Sequence, residues 1–456
     1  MTRFTRLLFL IVAVAFAIRI GYVAGAKDGP CVVRLPDGAT VTVPSECAVG
    51  DQLFYNAEAN TVAEGRGFTE PYAGLMGMRS GPAADHPPLT VLVLAPVSWL
   101  AERPPLQWIA GDPTGSHLRE HRFTMAILGT LNVALVGFLG RRVGRRRSDS
   151  GAAVGLVAAA IVAVAPFVWV NDGLVMSETV SIMTALAAIR LAFAAHDRRT
   201  PLRLAALGAA CGLATLARAE LVLLFPLLVG PVVWRAPGIR ARGTGLLAAA
   251  AATVVVLTPW VGFNLVRFDE RTFVSTNDGI ALLGSYCDAV FSGPAVGLTA
   301  IEGPASCLPP FPPGDQSVVA AEFRAQALDY AAANPRRLPA VAAARIGRTW
   351  GLFRPGDMIS YNTGEGREEW VTRLGYGVYY PTLVAAIAGV AVLVRRRQRF
   401  AIAVLLAPVV AATVGAAFTY GQTRFRATAE PALAILAAVA IVALVRRFRS
   451  TPAPGP

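Results

Sequence analysis

The chain has 456 residues, of which 54% are hydrophobic and only 16% charged, with a mean hydropathy of +0.52; this is too apolar for a soluble domain of ordinary surface-to-volume ratio. A formal charge of +13 would suggest nucleic acid in a soluble protein, but the arginines fall in short clusters between apolar runs and no basic stripe is interleaved with aromatics, so no nucleic-acid partner is expected. The absence of a P-loop, of a GxGxxG turn after a strand and of HExxH leaves soluble nucleotide chemistry without support.

The first apolar run, residues 5–24, follows Arg3 and Arg6. A signal peptide has the same front, but the run is of full membrane length and lacks a small-residue cleavage site, so it reads as a retained first helix with Arg19 near its outer end. Beyond it, GDQLFYNAEANTVAEGRGF predicts an amphipathic helix from Asp51 to Gly65 or Gly67, with Leu53, Phe54, Ala57 and Val62 apolar and Asp51, Glu58 and Glu64 polar. Asp51 stands where an N-cap would stand. Asp85 and His86 precede Pro87 and Pro88, which fix an extended entry into the apolar segment 89–102. That segment is too short for a crossing of about 20 residues, and counting it as one would put the RRVGRRR cluster outside. It is expected to be a juxtamembrane or re-entrant helix on the external side.

Further spans are expected at 121–140, 151–170, 177–195, 202–217, 221–234, 244–263, 377–394, 400–419 and 431–446, about ten in all with the first. The clusters Arg3/Arg6, Arg141 to Arg147, Arg198 to Arg203, Arg235 to Arg242, Arg395 to Arg399 and Arg446 to Arg449 mark every second connection as cytoplasmic. Both termini are then cytoplasmic, and two long loops, 25–120 and 264–376, are external. The implied organisation is a membrane module over 1–263, an external loop with amphipathic helices over 264–376, and C-terminal membrane helices over 377–456.

Cysteine placement agrees with this topology. Cys31 and Cys47 share the first external loop, Cys287 and Cys307 the second, and Cys211 lies inside a helix. Two local disulfides are expected in an oxidising compartment, since no CxxC or neighbouring histidine completes a tetrahedral metal set. Asp51, Asp85 and His86 could together ligate a divalent cation if the loop folds them within reach, but arginines can neutralise a phosphate without metal, and no metal cofactor is expected.

Polar clusters interrupt the same leaflet. NDGLVMSE brings Asp172 and Glu178, the latter heading a helix whose dipole it would complement. ARAE brings Arg218 and Glu220 to a tight turn, where they could pair with each other; ionisable groups at such depth are functional candidates by default. GQTRFRATAEP places Arg424, Arg426 and Glu430 outside, against the positive-inside trend, as an anionic ligand would explain. Carboxylates and arginines gathered at one mouth of a helix bundle suit displacement of a phosphate leaving group from a lipid-anchored donor.

Taken together, GDQLFYNAEANTVAEGRGF, DHPPLTVLVLAPVSWL, APFVWVNDGLVMSETV, LARAELVLLFPLL, TPWVGFNLVRF and RFRATAEP resemble the polyprenyl-phosphate-dependent glycosyltransferases of the GT-C fold, in the protein mannosyltransferase and aminoarabinose transferase branch. The resemblance implies an all-α polytopic membrane protein in which Asp51 is the catalytic carboxylate, deprotonating an acceptor hydroxyl that attacks the anomeric carbon with inversion. It implies that Arg218, Arg424 and Arg426, with His86, hold the donor phosphate. Either Asp172 or Glu178 fills a second acidic motif, and Asp85 and Glu220 line the pocket. The loop 264–376 is similar to that of actinobacterial members, whose donors include decaprenyl-phosphate arabinose and mannose, and it is expected to select a cell-envelope acceptor (glycan, lipid or protein). A non-catalytic transporter or flippase of lipid-linked sugars is the rival reading. Such proteins favour broken helices at the midplane and internal symmetry, whereas the polar residues here concentrate on one face.

Overall fold

Long apolar helices set the architecture. The computed structural model describes residues 2–27, 31–34, 40–43, 48–71, 81–103, 116–144, 150–301 and 305–450. Seven helices among these are long and apolar enough to cross a membrane: α1 (Arg3–Tyr22, continued to Lys27), α4 (Leu118–Gly144), α6 (Glu178–Asp197), α8 (Gly238–Arg267), α13 (Glu369–Arg395), α14 (Arg399–Phe418) and α15 (Glu430–Ser450). An eighth span forms if α5 (Ser150–Val164) is joined to the segment Pro166–Gly173, from which it is bent by 64°. The chain is a multi-pass membrane protein.

The count falls short of ten because two expected spans are irregular. The 17-residue α7 (Pro201–Ala217) is short, and the run after it is split into 3-10, π and α turns around Pro226 and Pro231, as expected where a proline removes a ladder hydrogen bond. Their ends nevertheless match the ends of α6 and α14. Arg203 donates to the Ala194 carbonyl near the end of α6, Arg218 reaches Glu178 at its start, and Arg235 lies over Phe400 at the start of α14.

Small residues let the helices close up without a hydrophobic drive from lipid. On α4, a Cβ at Gly140 would meet the Gly155 Cα at 3.0 Å, and one at Gly144 would meet the Gly151 Cα at 2.8 Å. Gly208 of α7 lies against the Ala249 carbonyl, and Gly389 of α13 against that of Leu436. The helix α1 is packed into this bundle through Phe4, Leu8 and Ala15, and its buried Arg19 pairs with Asp172 at 2.7 Å.

The first long loop carries a two-stranded antiparallel hairpin, β1 (Cys31–Arg34) and β2 (Thr40–Val43), then α2 (Asp51–Ala63) and α3 (Leu89–Ala101). Cys47, and with it the expected Cys31–Cys47 bridge, lies outside the described residues. At 13 residues, α3 is about 20 Å long, and it packs Val91 and Leu94 against Tyr55 and Ala59 of α2 and Met125 of α4. His121 of α4 clamps the layer, bonding Asn56 of α2 and Ser98 of α3, each at 2.8 Å. On α2, Gln52, Asn56, Glu58 and Thr61 are buried together with Tyr55 and Ala59, and Leu53 is exposed. The inward face of α2 is mixed: Tyr55 and Ala59 join the apolar cluster with Val91, Leu94 and Met125, while Asn56 bonds His121 and the Ser116 carbonyl.

The second long loop folds as α9 (Asn277–Leu283), α10 (Gln316–Ala333), α11 (Leu338–Thr349) and α12 (Pro355–Gly364), with a disulfide joining Cys287 and Cys307. Two buried arginines tie the loop together, and one of them, Arg345, also reaches Ala417 of α14. Arg345 donates to the Ser285 and Ala417 carbonyls, and Arg348 to Val296 and Pro294 at 2.7 Å each.

Candidate active site

Asp51 opens α2, but it does not cap it. The N-cap is Gly50, at φ +59° and with no side-chain capping bond, so the Asp51 carboxylate is left to point away from its own helix. It meets Arg424 at 2.6 Å and His86 at 3.5 Å. Arg424 sits on a short 3-10 turn, Thr423–Arg426, between α14 and α15. The same guanidinium lies 3.1 Å from Glu365 and 3.6 Å from Glu178.

Glu178 is the hub beneath this pair. Its side chain is 2% exposed and lies 3.2 Å from Arg218 and 3.9 Å from Arg367. Arg218 is shared with Glu220 at 2.6 Å and with the Ser177 hydroxyl at 3.2 Å. The ends of α2, α6, α7 and α12 and the α14–α15 turn thus interlock through alternating charges. Arg424 and His86 outweigh burial and hold the Asp51 carboxyl well below its ordinary range.

A cavity of about 540 Å³ opens beside these groups, within the range of small-molecule sites. Asp51, Asp85, His86, Arg218, Glu220 and Arg424 all line it. Part of its lining is apolar, from Ala412, Gly415 and Ala416 of α14 and from Phe273 and Val274, and Arg271 and Arg324 stand among the other lining residues. Arg324 is held by both oxygens of Asp278.

Next to the cavity lies an unusual carboxylate group. Asp85 and Glu70 both accept from the Gln316 side-chain amide of α10, and neither oxygen of the buried Glu58 has a hydrogen-bond partner among the described residues. Burial, then Asp85 and Glu70, pushes the Glu58 carboxyl well above its usual range, and burial raises that of Asp85.

Three sequence expectations meet the geometry in different ways. Of the two candidates for a second acidic group, Glu178 is at the site, while Asp172 is buried against Arg19 and the Thr179 hydroxyl, each at 2.7 Å. Arg426, expected beside Arg424, turns the other way: it pairs with Glu430 at 2.7 Å and stacks on Tyr379 at 3.6 Å. Glu220 does pair with Arg218, yet both still face the cavity. Glu365 and Arg367 also belong to the site, and the run GEGREE just ahead of an apolar helix is a sequence signal of the same kind as ARAE. Among the described residues no three His, Cys, Asp or Glu side chains converge as a metal site.

Residues 80–272, less than half of the chain, match the family model of dolichyl-phosphate-mannose-protein mannosyltransferases. That stretch contains His86, Glu178 and Arg218 but not Asp51 or Arg424. Among solved structures, the chain is similar to the Archaeoglobus fulgidus oligosaccharyltransferase AglB in complex with an inhibitory peptide and a dolichol-phosphate, at 13% identity and a TM-score of 0.57, over 99% of this chain and 52% of that one. It is similar to the oligosaccharyltransferase of the same organism in complex with Zn and sulfate, at 14% identity and 0.54, over 97% and 49%. The fold is GT-C-like. The chain spans about half the length of the solved structures it matches, and no curated protein matches it in sequence.

Proposed function

We propose that the chain is a membrane glycosyltransferase that moves a sugar from a polyprenyl-phosphate monosaccharide to a hydroxyl of a cell-envelope acceptor. The observation that carries this reading is a single cavity lined by a carboxylate, two arginines and apolar residues: Asp51, Arg218 and Arg424 together with Ala412, Gly415 and Ala416. A phosphodiester on a hydrocarbon carrier needs that combination, with guanidinium groups for the phosphate and a greasy surface for the first isoprene units. The match of residues 80–272 and the likeness to a structure solved with dolichol-phosphate support the same donor class.

In the reaction, the acceptor hydroxyl gives its proton to Asp51 and its oxygen forms a bond to the anomeric carbon. The bond from that carbon to the phosphate oxygen breaks with its electron pair, and polyprenyl phosphate departs against Arg218 and Arg424. In the resting site Arg424 is bonded to Asp51, which makes Asp51 a poor base. The incoming phosphate competes for Arg424, and drawing the guanidinium away from Asp51 raises the basicity of the carboxylate only once a donor is in place. Glu178 and Glu365 hold Arg424 from behind. By the positive-inside rule, the end of the bundle carrying Arg142, Arg235 and Arg399 is cytoplasmic and the Asp51 end external, in the plasma membrane. Mannose or arabinose as the sugar, and a glycan, lipid or protein as the acceptor, are the choices left to assay.

The test is transfer from radiolabelled polyprenyl-phosphate monosaccharides to a membrane acceptor fraction, with wild type and Asp51→Asn purified in the same detergent. The variant is expected to lose about 10²- to 10⁴-fold in rate. Equal transfer by both proteins would overturn the assignment of Asp51. Failure of the wild type across the donor panel would bring forward the non-catalytic carrier of lipid-linked sugars.

A further inference from the structure

At the end of the bundle opposite Asp51, four arginines from three connections converge on one polar cavity of about 370 Å³. Arg142 comes from the end of α4, Arg235 from the turn before α8, and Arg397 and Arg399 from the turn between α13 and α14. The one carboxylate there, Asp197, is taken by Arg142. Among the described residues Arg235, Arg397 and Arg399 have no ion-pair partner, and all three are exposed. Positive-inside topology needs arginines in these loops; it does not need them to face one concavity.

A second cavity of about 420 Å³ continues from the first, sharing Arg235, Arg399 and Phe400. Its other walls are apolar: Gly230, Pro231, Ala403 and Trp234, whose ring is 74% exposed. The surface at this end therefore has a cationic basin joined to an apolar groove on the lipid-facing side.

We propose that this pair of cavities binds an acidic diacyl phospholipid of the bilayer, its headgroup phosphodiester among Arg235, Arg397 and Arg399 and an acyl chain along Trp234, Pro231 and Ala403. Charge complementarity picks the headgroup, since three guanidinium groups without carboxylate partners suit an anionic phosphodiester and leave a zwitterionic lipid's ammonium unmatched. Continuity with the groove picks a lipid over a free phosphate: a soluble anion would use the basin and leave the groove empty. This site is separate from the Asp51 cavity and does not depend on the reaction proposed there.

Native mass spectrometry and thermal melting of the full chain in a neutral detergent test it, with phosphatidylglycerol, phosphatidylcholine of the same acyl chains, and glycerol 3-phosphate as probes. Phosphatidylglycerol is expected to be retained and to raise the melting temperature. Phosphatidylcholine should be bound about tenfold more weakly, as should phosphatidylglycerol by an Arg235→Gln, Arg399→Gln double variant. Both positions are exposed, so the variant should fold. An Arg198→Gln, Arg199→Gln variant, which removes as much charge from a neighbouring loop, should retain the lipid as wild type does. Equal binding of phosphatidylcholine, undiminished binding by the Arg235/Arg399 variant, equal loss in the Arg198/Arg199 variant, or displacement by equimolar glycerol 3-phosphate would each overturn the proposal.

Discussion

The carboxylate of Asp51 and the guanidinium of Arg424 lie 2.6 Å apart although they stand 373 positions apart in the chain. If this contact is exchanged for donor phosphate, the two partners should fail differently on substitution. Arg424→Gln should weaken binding of decaprenyl phosphate by about ten- to a hundredfold, the worth of a charged hydrogen bond. Asp51→Asn should bind it as well as wild type or better, since it frees Arg424, while losing transfer. Titration with the product lipid decides: equal loss of binding in both variants would show that the pair is merely structural.

Glu178 and Asp172 offer a second contrast. Both are buried acids that pair with arginine, but only Glu178 belongs to the network around Asp51. Asp172→Asn should cost about 3 to 5 kcal/mol of stability by leaving Arg19 buried and unpaired. Glu178→Gln should fold and lose transfer. Thermal melting alongside the transfer assay separates the two, and an Asp172→Asn protein of wild-type melting temperature would refute the structural role.

The carboxyl of Glu58 gives a pH dependence of definite sign. Its folded pKa is raised above the unfolded value near about 4, so the neutral form is favoured in the folded state. The stabilisation is complete below the unfolded value and is lost as pH rises through the folded one. Melting temperature should therefore fall as pH rises above the unfolded value, and Glu58→Gln should flatten that fall. Asp51 works in reverse: its contribution is present above the unfolded value and disappears as pH falls through its depressed folded value. A Glu58→Gln protein with an unchanged slope would show that another group titrates.

Opening the bridge between Cys287 and Cys307, which stand 20 positions apart in sequence, should cost about 3 kcal/mol in the chain-entropy model. Reduction of the wild type, or Cys287→Ser with Cys307→Ser, should lower the unfolding transition of the second loop, as followed by limited proteolysis. No change in protease resistance would place the bridge outside the stability of that loop.

Much of the plan was legible because lipid imposes it. Apolar length marked the long helices, and the shortness of 89–102 separated α3 from the spans. Where the chain departs from uniform apolar helices, length no longer counts correctly, and Pro226 and Pro231 broke up one expected span. Within the site, residue type and leaflet brought out Asp51, His86, Arg218, Glu220 and Arg424. They could not tell Arg424 from Arg426, two residues apart on a 3-10 turn, because the turn's direction is set by Tyr379 and Glu430 on other helices. Nor could periodicity show that α2 buries Gln52, Asn56, Glu58 and Thr61, since which face is buried depends on what lies beneath it.

The charge balance of the Asp51 network bears on how a donor would arrive. The carboxylates of Asp51, Glu178, Glu220 and Glu365 outnumber the guanidinium groups of Arg218, Arg367 and Arg424 that they hold. The resting centre is thus not a net positive trap, and long-range attraction would contribute little to capture of a phosphodiester. Donor association should then change little between low and high ionic strength, with the carrier's hydrocarbon and the local change of arginine partners supplying the affinity.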